Sequence, residues 1–315
     1  MAVSRRGLGT PAFRMTALLA AVAIVVSACA RGGSAPPVAT SGAAFPVTLT
    51  DDDGVSMTLN APPRRIVTFA PSNTEIVFAL GLGPRVVGVS GKFDDYPPEA
   101  TNIDEVGGSG EFGVDPNLEK LVSLHPDLML VISGGDEWKK RVRELGIPVF
   151  TINATGFEDL LHDIRTVGTL TGVPGRSGAL TARMADRATE IKTKVAKESP
   201  VACFFEVYYP PLTTVGPNTF IADLLKRAGC ESVSAEAKSD YPEWSVDELV
   251  KESPQVYLVA SESGTSPAAV AKRPGFKGIA AVAGGRVYLI DSDLVSRPGP
   301  RVVDGLAALA RTLHP

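Results

Sequence analysis

The sequence carries LEKLVSLHPDLMLV at residues 118–131 and VDELVKESPQVYLV at residues 246–259. Each stretch joins a run of helical spacing to an apolar run that follows a proline, which is typical of a helix leading into a buried strand. A second pair precedes them, with NTEIVFALG at residues 73–81 and NTFIADLL at residues 218–225, where Gly229 ends the second helix. Because both pairs occur in the same order and at similar spacing, they predict a chain built from two copies of one plan.

Strand-length apolar runs alternate with helical patterns around these repeats. In the first half the runs are Arg65–Phe69, Val86–Val89, Asp127–Ile132 and Val149–Ile152. The alternation resumes at Val201, and it is typical of a parallel sheet covered by helices. Ahead of the first sheet, a hairpin is predicted over Val47–Leu59, because Asp52-Asp53-Gly54 supplies a turn between two β-prone runs.

A helical stretch from Phe157 to about Glu198 separates the two halves, and Gly172-Val173-Pro174-Gly175 interrupts it. The predicted fold is therefore α/β: two similar lobes with central, mainly parallel sheets, joined by a long backbone helix, with a ligand cleft between the lobes. The predicted boundaries are residues 47–153 for the N-terminal lobe, 154–200 for the helical connector and 201–315 for the C-terminal lobe.

The first residues predict export. Arg5, Arg6 and Arg14 precede an apolar run from Ala17 to Val26, which is too short to span a bilayer and is typical of a secretion signal. Residues 1–28 are predicted to be this signal. The basic residues leave the general and the twin-arginine export routes open. Residues 29–46 are rich in Gly, Ser, Ala, Pro and Thr and are predicted to be a flexible tether.

Charge and cysteine content narrow the classes of partner. The formal net charge is −4, and it becomes more negative once the arginines of the signal are removed, so nucleic acid is not expected as a partner. Cys203 and Cys230 would lie in an oxidising compartment where a disulfide is allowed. Their spacing leaves open whether they pair.

Catalytic and metal-binding patterns are not found in the sequence. The histidines, His125, His162 and His314, lie far apart along the chain and do not suggest a metal cluster. Gly107-Gly108-Ser109-Gly110 is read as a loop, since no nucleophile with a following base accompanies it. We therefore expect no cofactor, no metal and no enzymatic activity; a surface-anchored hydrolase is the alternative of another class.

Aromatic side chains follow several predicted strands. Ligands of open α/β sheets bind at the carboxyl ends of strands, and rigid aromatic faces suit a large planar macrocycle. The candidates for a ligand wall on this ground are Phe93, Tyr96, Phe112, Tyr209, Tyr241 and Trp244.

Several motifs resemble those of a known family, the helical-backbone class of periplasmic substrate-binding proteins. The motifs that carry the resemblance are Pro71-Ser72-Asn73-Thr74-Glu75, Asp95-Tyr96-Pro97-Pro98, Asn117-Leu118-Glu119, His125-Pro126-Asp127-Leu128, Tyr241-Pro242-Glu243-Trp244-Ser245 and Arg297-Pro298-Gly299-Pro300-Arg301. The class serves ABC importers for siderophore-bound iron, haem and cobalamin, and the resemblance is greatest to its cobalamin-binding members. It implies a monomeric receptor that captures a corrinoid, or alternatively a ferric siderophore or haem, and delivers it to a membrane permease.

The segment Val26-Ser27-Ala28-Cys29 resembles a bacterial lipobox. The resemblance implies that the mature chain begins at Cys29 and carries lipid there. Several acyl chains anchor a protein stably. The expected location is therefore the extracytoplasmic face of the cell membrane.

The family resemblance also implies roles for individual residues. One acid on each lobe docks onto arginines of the permease, and the matching positions are Glu119 and Asp247, with Glu248 as a one-residue alternative to Asp247. These acids also suit the positive end of a helix, a role that can hold at the same time.

On the ligand side, the resemblance adds Asp293 as an acid facing the ligand and Leu212 at the position of an aromatic wall. Arg297 could neutralise an anionic iron complex, since guanidinium suits carboxylate oxygens. The sequence departs from the pattern at Ile132, where the cobalamin binder has tryptophan, and within 107–116, which carries extra residues.

Overall fold

The computed structural model describes residues 44–108 and 115–315. The signal at 1–28, the lipid-anchor residue Cys29, the tether up to residue 43 and Phe112 lie outside the described residues. The expectations about them stay predictions.

The described chain begins with the predicted hairpin. Strands β1 (Val47–Thr50) and β2 (Ser56–Leu59) pair antiparallel. The turn between them also contacts the rest of the first lobe. Asp53 in this turn accepts a hydrogen bond from the buried Lys139 Nζ at 2.7 Å. The backbone N–H of Asp52 donates to the carbonyl of Thr151 at 3.2 Å. The hairpin prediction is confirmed.

The first lobe contains a four-stranded parallel sheet of order β4-β3-β5-β6. Its strands are β3 (Ile66–Thr68), β4 (Val86–Val89), β5 (Leu128–Val131) and β6 (Val149–Thr151). Its helices are α1 (Pro71–Ala79), α2 (Leu118–Ser123) and α3 (Asp136–Glu144). All four residues of β5 are buried, as expected for a strand covered by helices on both faces.

Two helices form the connector. They are α4 (Phe157–Leu170) and α5 (Pro174–Val195). They run side by side in opposite directions, since Arg165 Nε bonds Thr181 Oγ1 at 3.2 Å and a Cβ placed on Gly168 would lie 2.0 Å from Ser177 Oγ. The expected interruption near Pro174 is therefore a full reversal of the chain.

Helix α5 reaches from one lobe to the other. At its start, Arg176 Nη1 donates to the carbonyl of Leu80 in the first lobe at 3.1 Å. At its end, the side chain of Val195 packs against Gly229 in the second lobe. Its 22 residues span about 33 Å at the usual rise of an α-helix. This is the backbone helix that the sequence predicts.

The second lobe repeats the first. Its strands are β7 (Val201–Tyr208), β8 (Thr213–Thr214), β9 (Cys230–Ser232), β10 (Val256–Ala260) and β11 (Val287–Ile290). Its helices are α6 (Phe220–Arg227), α7 (Val246–Glu252), α8 (Pro267–Val270), α9 (Ala280–Ala283), α10 (Ser292–Val295) and α11 (Val302–Leu313). The parallel strands follow the order β9-β7-β10-β11, and β8 adds antiparallel to β7.

The duplication extends to the backbone. His125 (φ +44°) and Ser253 (φ +41°) are the described non-glycine residues with positive φ, and each ends a repeated helix just before a proline. Gly81 (φ +72°) and Gly229 (φ +84°) likewise end the other repeated helix in each lobe. The two-lobed α/β prediction is confirmed.

Cys203 of β7 and Cys230 of β9 form a disulfide, with their Cα atoms 5.7 Å apart. The pairing that their spacing left open is thus made between neighbouring strands. Within residues 44–108 and 115–315, no helix combines the length and the apolar character needed to cross a bilayer.

Candidate ligand cleft

A cavity of about 390 Å³ lies between the two lobes. The first lobe contributes the start of α1 and the residues just after β5 and β6, including Ile132 and Asn153. The second lobe contributes Asn218 at the start of α6, Tyr241, and Arg297 after α10. The cavity therefore lies beyond the carboxyl ends of parallel strands, where α/β proteins bind ligands.

Four buried polar residues line this cavity, namely Ser72, Asn73, Asp163 and Thr219, and Asn73 and Asp163 are the most deeply buried of them. Asn73 in the first turn of α1 is 0% exposed, and neither its Oδ1 nor its Nδ2 has a hydrogen-bond partner among the described residues. Asp163 on α4 is 4% exposed. Burial raises the pKa of Asp163 to about 7, and the carboxylates of Asp52 and Asp159 add to the rise.

Ion pairs connect the lobes beside the cavity. Arg301 of the second lobe holds the carboxylate of Glu75 on α1 with two hydrogen bonds of 3.0 and 2.5 Å. Burial raises the pKa of Glu75, although Arg301 opposes the rise. Arg297 bonds Asp95 of the first lobe at 3.0 Å and Asp293 of the second at 2.7 Å. The charge of Arg297 is therefore already matched by two carboxylates.

Phe93 and Tyr96, the predicted aromatics of the first lobe that the structure describes, lie outside the cavity wall. The ring of Tyr96 lies under the guanidinium of Arg301, 3.8 Å from the guanidinium carbon, and it lines a neighbouring crevice of about 410 Å³. Lys92 Nζ lies 5.0 Å from the ring centre of Phe93. Tyr96 and Phe93 are 41% and 40% exposed.

The predicted residues of the second lobe divide into two groups. Tyr241 lines the cavity and is 56% exposed. Leu212 is 4% exposed and packs in the core with Phe204 and Tyr257, because its side chain points into the lobe. The structure thus places Leu212 in the core rather than in the cavity wall.

Tyr209 and Trp244 also pack against this core, and both lie outside the cavity wall. The guanidinium carbon of Arg273 lies 3.9 Å from the ring centre of Tyr209, and Arg273 holds the buried Glu206 with two bonds of 2.5 and 2.9 Å. Tyr209 therefore covers a buried ion pair. The Nε1 of Trp244 is buried without a partner among the described residues.

Asp293 lies beside the cavity as the partner of Arg297, and burial raises its pKa. The proposed docking acids, Glu119 and Asp247, are both exposed. They occupy the first turns of α2 and α7, after the capping residues Asn117 and Ser245. Their positions are equivalent in the duplicated plan.

The sequence reading missed Asn73 and Asp163 as residues of the cavity. The sequence presents Asn73 as part of a repeated helix start and of a family motif, without a role in the cavity. Asp163 carried a usable signal, because it lies on the apolar face of α4, three residues after Leu160 and four before Val167. An isolated acid on such a face is unusual. Among the described residues, no three His, Cys, Asp or Glu side chains gather where a metal ion could be held.

Comparison with known proteins places this architecture in a family. The model of the periplasmic binding protein family matches residues 66–294. The chain belongs to this family. It is 33% identical over 280 residues to the uncharacterized ABC transporter substrate-binding lipoprotein YvrC of Bacillus subtilis, covering 86% of each chain. It is 31% identical over 313 residues to a cobalamin-binding protein of Halobacterium salinarum, covering 95% of this chain and 84% of the relative.

A solved structure supports the same assignment. The crystal structure of a possible iron-binding (periplasmic solute-binding) protein from Staphylococcus epidermidis matches with a TM-score of 0.71 and 27% identity. The match covers 81% of this chain and all of the other. These periplasmic binding proteins are named for binding rather than for catalysis, and the chain shares their substrate-binding role in ABC import.

Proposed function

We propose that this periplasmic binding protein captures cobalamin or a related corrinoid in the cleft between its lobes and delivers it, chemically unchanged, to an ABC permease. The observation that carries the proposal is a cavity at the strand ends of both lobes, in a chain 31% identical to a cobalamin-binding protein. The mature chain would act as a monomer on the extracytoplasmic face of the cell membrane, anchored by lipid on Cys29.

The charge around the cavity favours a corrinoid over an anionic chelate. Arg297, the cation that would neutralise a ferric siderophore or haem, already bonds Asp95 and Asp293. Asp163 adds a further acid to the cavity wall. Ligand pockets commonly measure about 300 to 1,000 Å³. A cavity of about 390 Å³ suits partial burial of a macrocycle, with the exposed Tyr241 against one face.

The alternative within the same class is a ferric siderophore or haem. The similarity to a possible iron-binding protein favours it. Lobe opening that breaks the bond between Arg297 and Asp95 would leave the guanidinium with one carboxylate, that of Asp293 in its own lobe, and so free part of it for such a ligand.

Calorimetric titration of the mature chain tests the proposal. Cyanocobalamin, a ferric siderophore and haemin are titrated in turn, and we expect saturable 1:1 binding with cyanocobalamin bound most tightly. Tyr241→Ala should weaken cobalamin binding by about tenfold, because a stacked aromatic face is lost. Tyr208→Ala is the matched control, since Tyr208 is 51% exposed but lies outside the cavity wall.

The possible results separate the hypotheses. Preference for an iron chelate or haemin would select the alternative ligand class. Absence of binding to all three would overturn the proposed function. Hydrolysis of an ester or peptide by the purified chain would instead support the enzyme hypothesis.

A further inference from the structure

Asn73 is a fully buried side chain without a hydrogen-bond partner. It is the third residue of α1 and belongs to the wall of the cleft cavity. Its Oδ1 and its Nδ2 both lack partners among the described residues. Buried amides are nearly always hydrogen-bonded, and an unpaired one is costly. A partner is therefore expected when the protein works.

The next two side chains on α1 have all the partners they need. Thr74 Oγ1 bonds Thr68 Oγ1 at 2.7 Å and also the carboxylate of Asp94. Glu75 is held by the Nε and Nη2 donors of Arg301. These contacts already secure the start of α1 against its own lobe and against the other. The amide of Asn73 is not needed for that purpose.

The chemistry of the amide defines the group that would complement it. A side-chain amide presents an acceptor oxygen and a donor nitrogen side by side. A primary carboxamide has the same two atoms and can satisfy both at once, whereas a carboxylate offers acceptors only. No side chain caps the N-terminus of α1, so its partial positive charge is also available to a carbonyl oxygen.

The opposite wall carries the equivalent residue. Asn218 lies two residues before α6, Asn73 lies in the first turn of α1, and both line the same cavity. Asn218 is exposed, whereas Asn73 is fully buried. The exposed Asn218 can hydrogen-bond to water, so Asn73 is the residue that needs a specific partner.

We propose that Asn73 determines ligand specificity by binding a peripheral carboxamide, so that the cleft selects corrinoids bearing carboxamides over macrocycles and chelates bearing carboxylates. The inference rests on the proposed function, because it assigns a chemical preference to the same cleft. The corrin ring of cobalamin carries carboxamide groups at its edge, whereas haem carries carboxylates. Asn73 thus supplies a physical reason for the preference between them.

Two related ligands and one isosteric substitution test this inference. Dicyanocobinamide carries carboxamides around the ring, and dicyanocobyrinic acid carries carboxylic acids at the same positions. We expect wild-type protein to bind dicyanocobinamide at least about tenfold more tightly than the acid. A site whose polar groups need hydrogen-bond partners binds an analogue that lacks one of those partners more weakly. Asn73→Leu should lose about tenfold or more in affinity for dicyanocobinamide but less than about threefold for the acid.

Thermal unfolding of the same variant separates a binding role from a structural one. Leucine has a similar volume and no polar atoms, so Asn73→Leu should leave the melting temperature unchanged or raise it. Asn60→Leu, at an exposed position outside the cavity, is the matched control and should change neither affinity.

Each outcome bears on one hypothesis. If Asn73→Leu keeps the wild-type preference for dicyanocobinamide, or melts at a clearly lower temperature, the assignment of Asn73 is overturned while the proposed function stands. If wild-type protein binds both corrinoids equally, the carboxamide preference is overturned. If wild-type protein binds neither dicyanocobinamide nor dicyanocobyrinic acid, both the proposed function and this inference are overturned.

Discussion

Asp163 shows how a single residue couples the cleft to pH. Its carboxyl is 4% exposed, and burial raises its pKa from 3.8 to about 7. In the unfolded chain the carboxyl ionises near its ordinary value. The folded state therefore resists ionisation, and the stability of the fold relative to the unfolded chain falls as pH rises from about 4 through about 7.

Removing this acid should change the stability in a pH-dependent way. We expect Asp163→Asn to raise the free energy of unfolding at pH 8 by at most about 4 kcal/mol, the value of a three-unit shift. The gain should shrink toward pH 4, where the native carboxyl is neutral. Urea denaturation at several pH values measures it. Asp186→Asn, an exposed acid on α5, is the control. An equal gain at pH 4 and pH 8 would contradict the raised pKa.

At the residue scale, the sequence predicted that some side chains lie at the cavity, but it did not predict what each side chain contacts. Tyr241, predicted from the loops at strand ends, and Arg297, predicted from the family resemblance, lie in the cavity wall. Leu212 lies in the core because the direction of its side chain depends on the path of the loop after β7, which carries no periodicity. The unpaired state of Asn73 depends on which groups the fold packs around it, so no local pattern could indicate it.

At the scale of elements, hydrophobic periodicity was sufficient for most of the fold. β4 was predicted with the bounds that it has, and β5, β6, α1 and α2 were predicted within a residue or two. These elements are short but carry clear apolar patterns. The two-residue strand β8 and the four-residue helices α8, α9 and α10 were not predicted, because they are too short to show a period.

The disulfide between β7 and β9 should contribute measurably to stability. Cys203 and Cys230 are 27 residues apart in sequence. Closing a loop of this length restricts the unfolded chain, and reduction should lower the free energy of unfolding by about 3 to 4 kcal/mol.

Urea denaturation with and without reductant measures this effect on one and the same chain. The double variant Cys203→Ala, Cys230→Ala should not respond to reductant. Two reactive thiols in the native, unreduced protein would show instead that the cysteines are unpaired.

At the scale of the whole molecule, the proposed docking to a permease would require both lobes at once. Glu119 and Asp247 occupy equivalent first turns, one on each lobe. A pair of acids held apart in this way can match both the charge and the spacing of two basic sites on a permease. We expect the double reversal Glu119→Lys, Asp247→Lys to slow cobalamin uptake at least about tenfold while calorimetric affinity changes less than about twofold.

First-turn acids on other helices supply the matched control. Glu137 on α3 and Asp304 on α11 are exposed and stand in the same local setting. The double reversal Glu137→Lys, Asp304→Lys should leave uptake near the wild-type rate. Equal loss of uptake in both double variants would reject the docking assignment, and a loss of cobalamin affinity in the first would place its acids in ligand binding instead.

The repeated plan of the two lobes, which extends to the positive φ of His125 and Ser253, has a consequence for how a ligand is oriented. The parallel strands of the two lobes have the same order, and both lobes face one cavity. A roughly symmetric ligand would therefore contact nearly the same backbone arrangement in either of two opposite orientations. Cavity residues that differ between the lobes can distinguish the two poses, and the fully buried Asn73 and the exposed Asn218 form such a pair. Because such residues make the two walls of the cavity different, the protein could bind an asymmetric ligand in a single orientation.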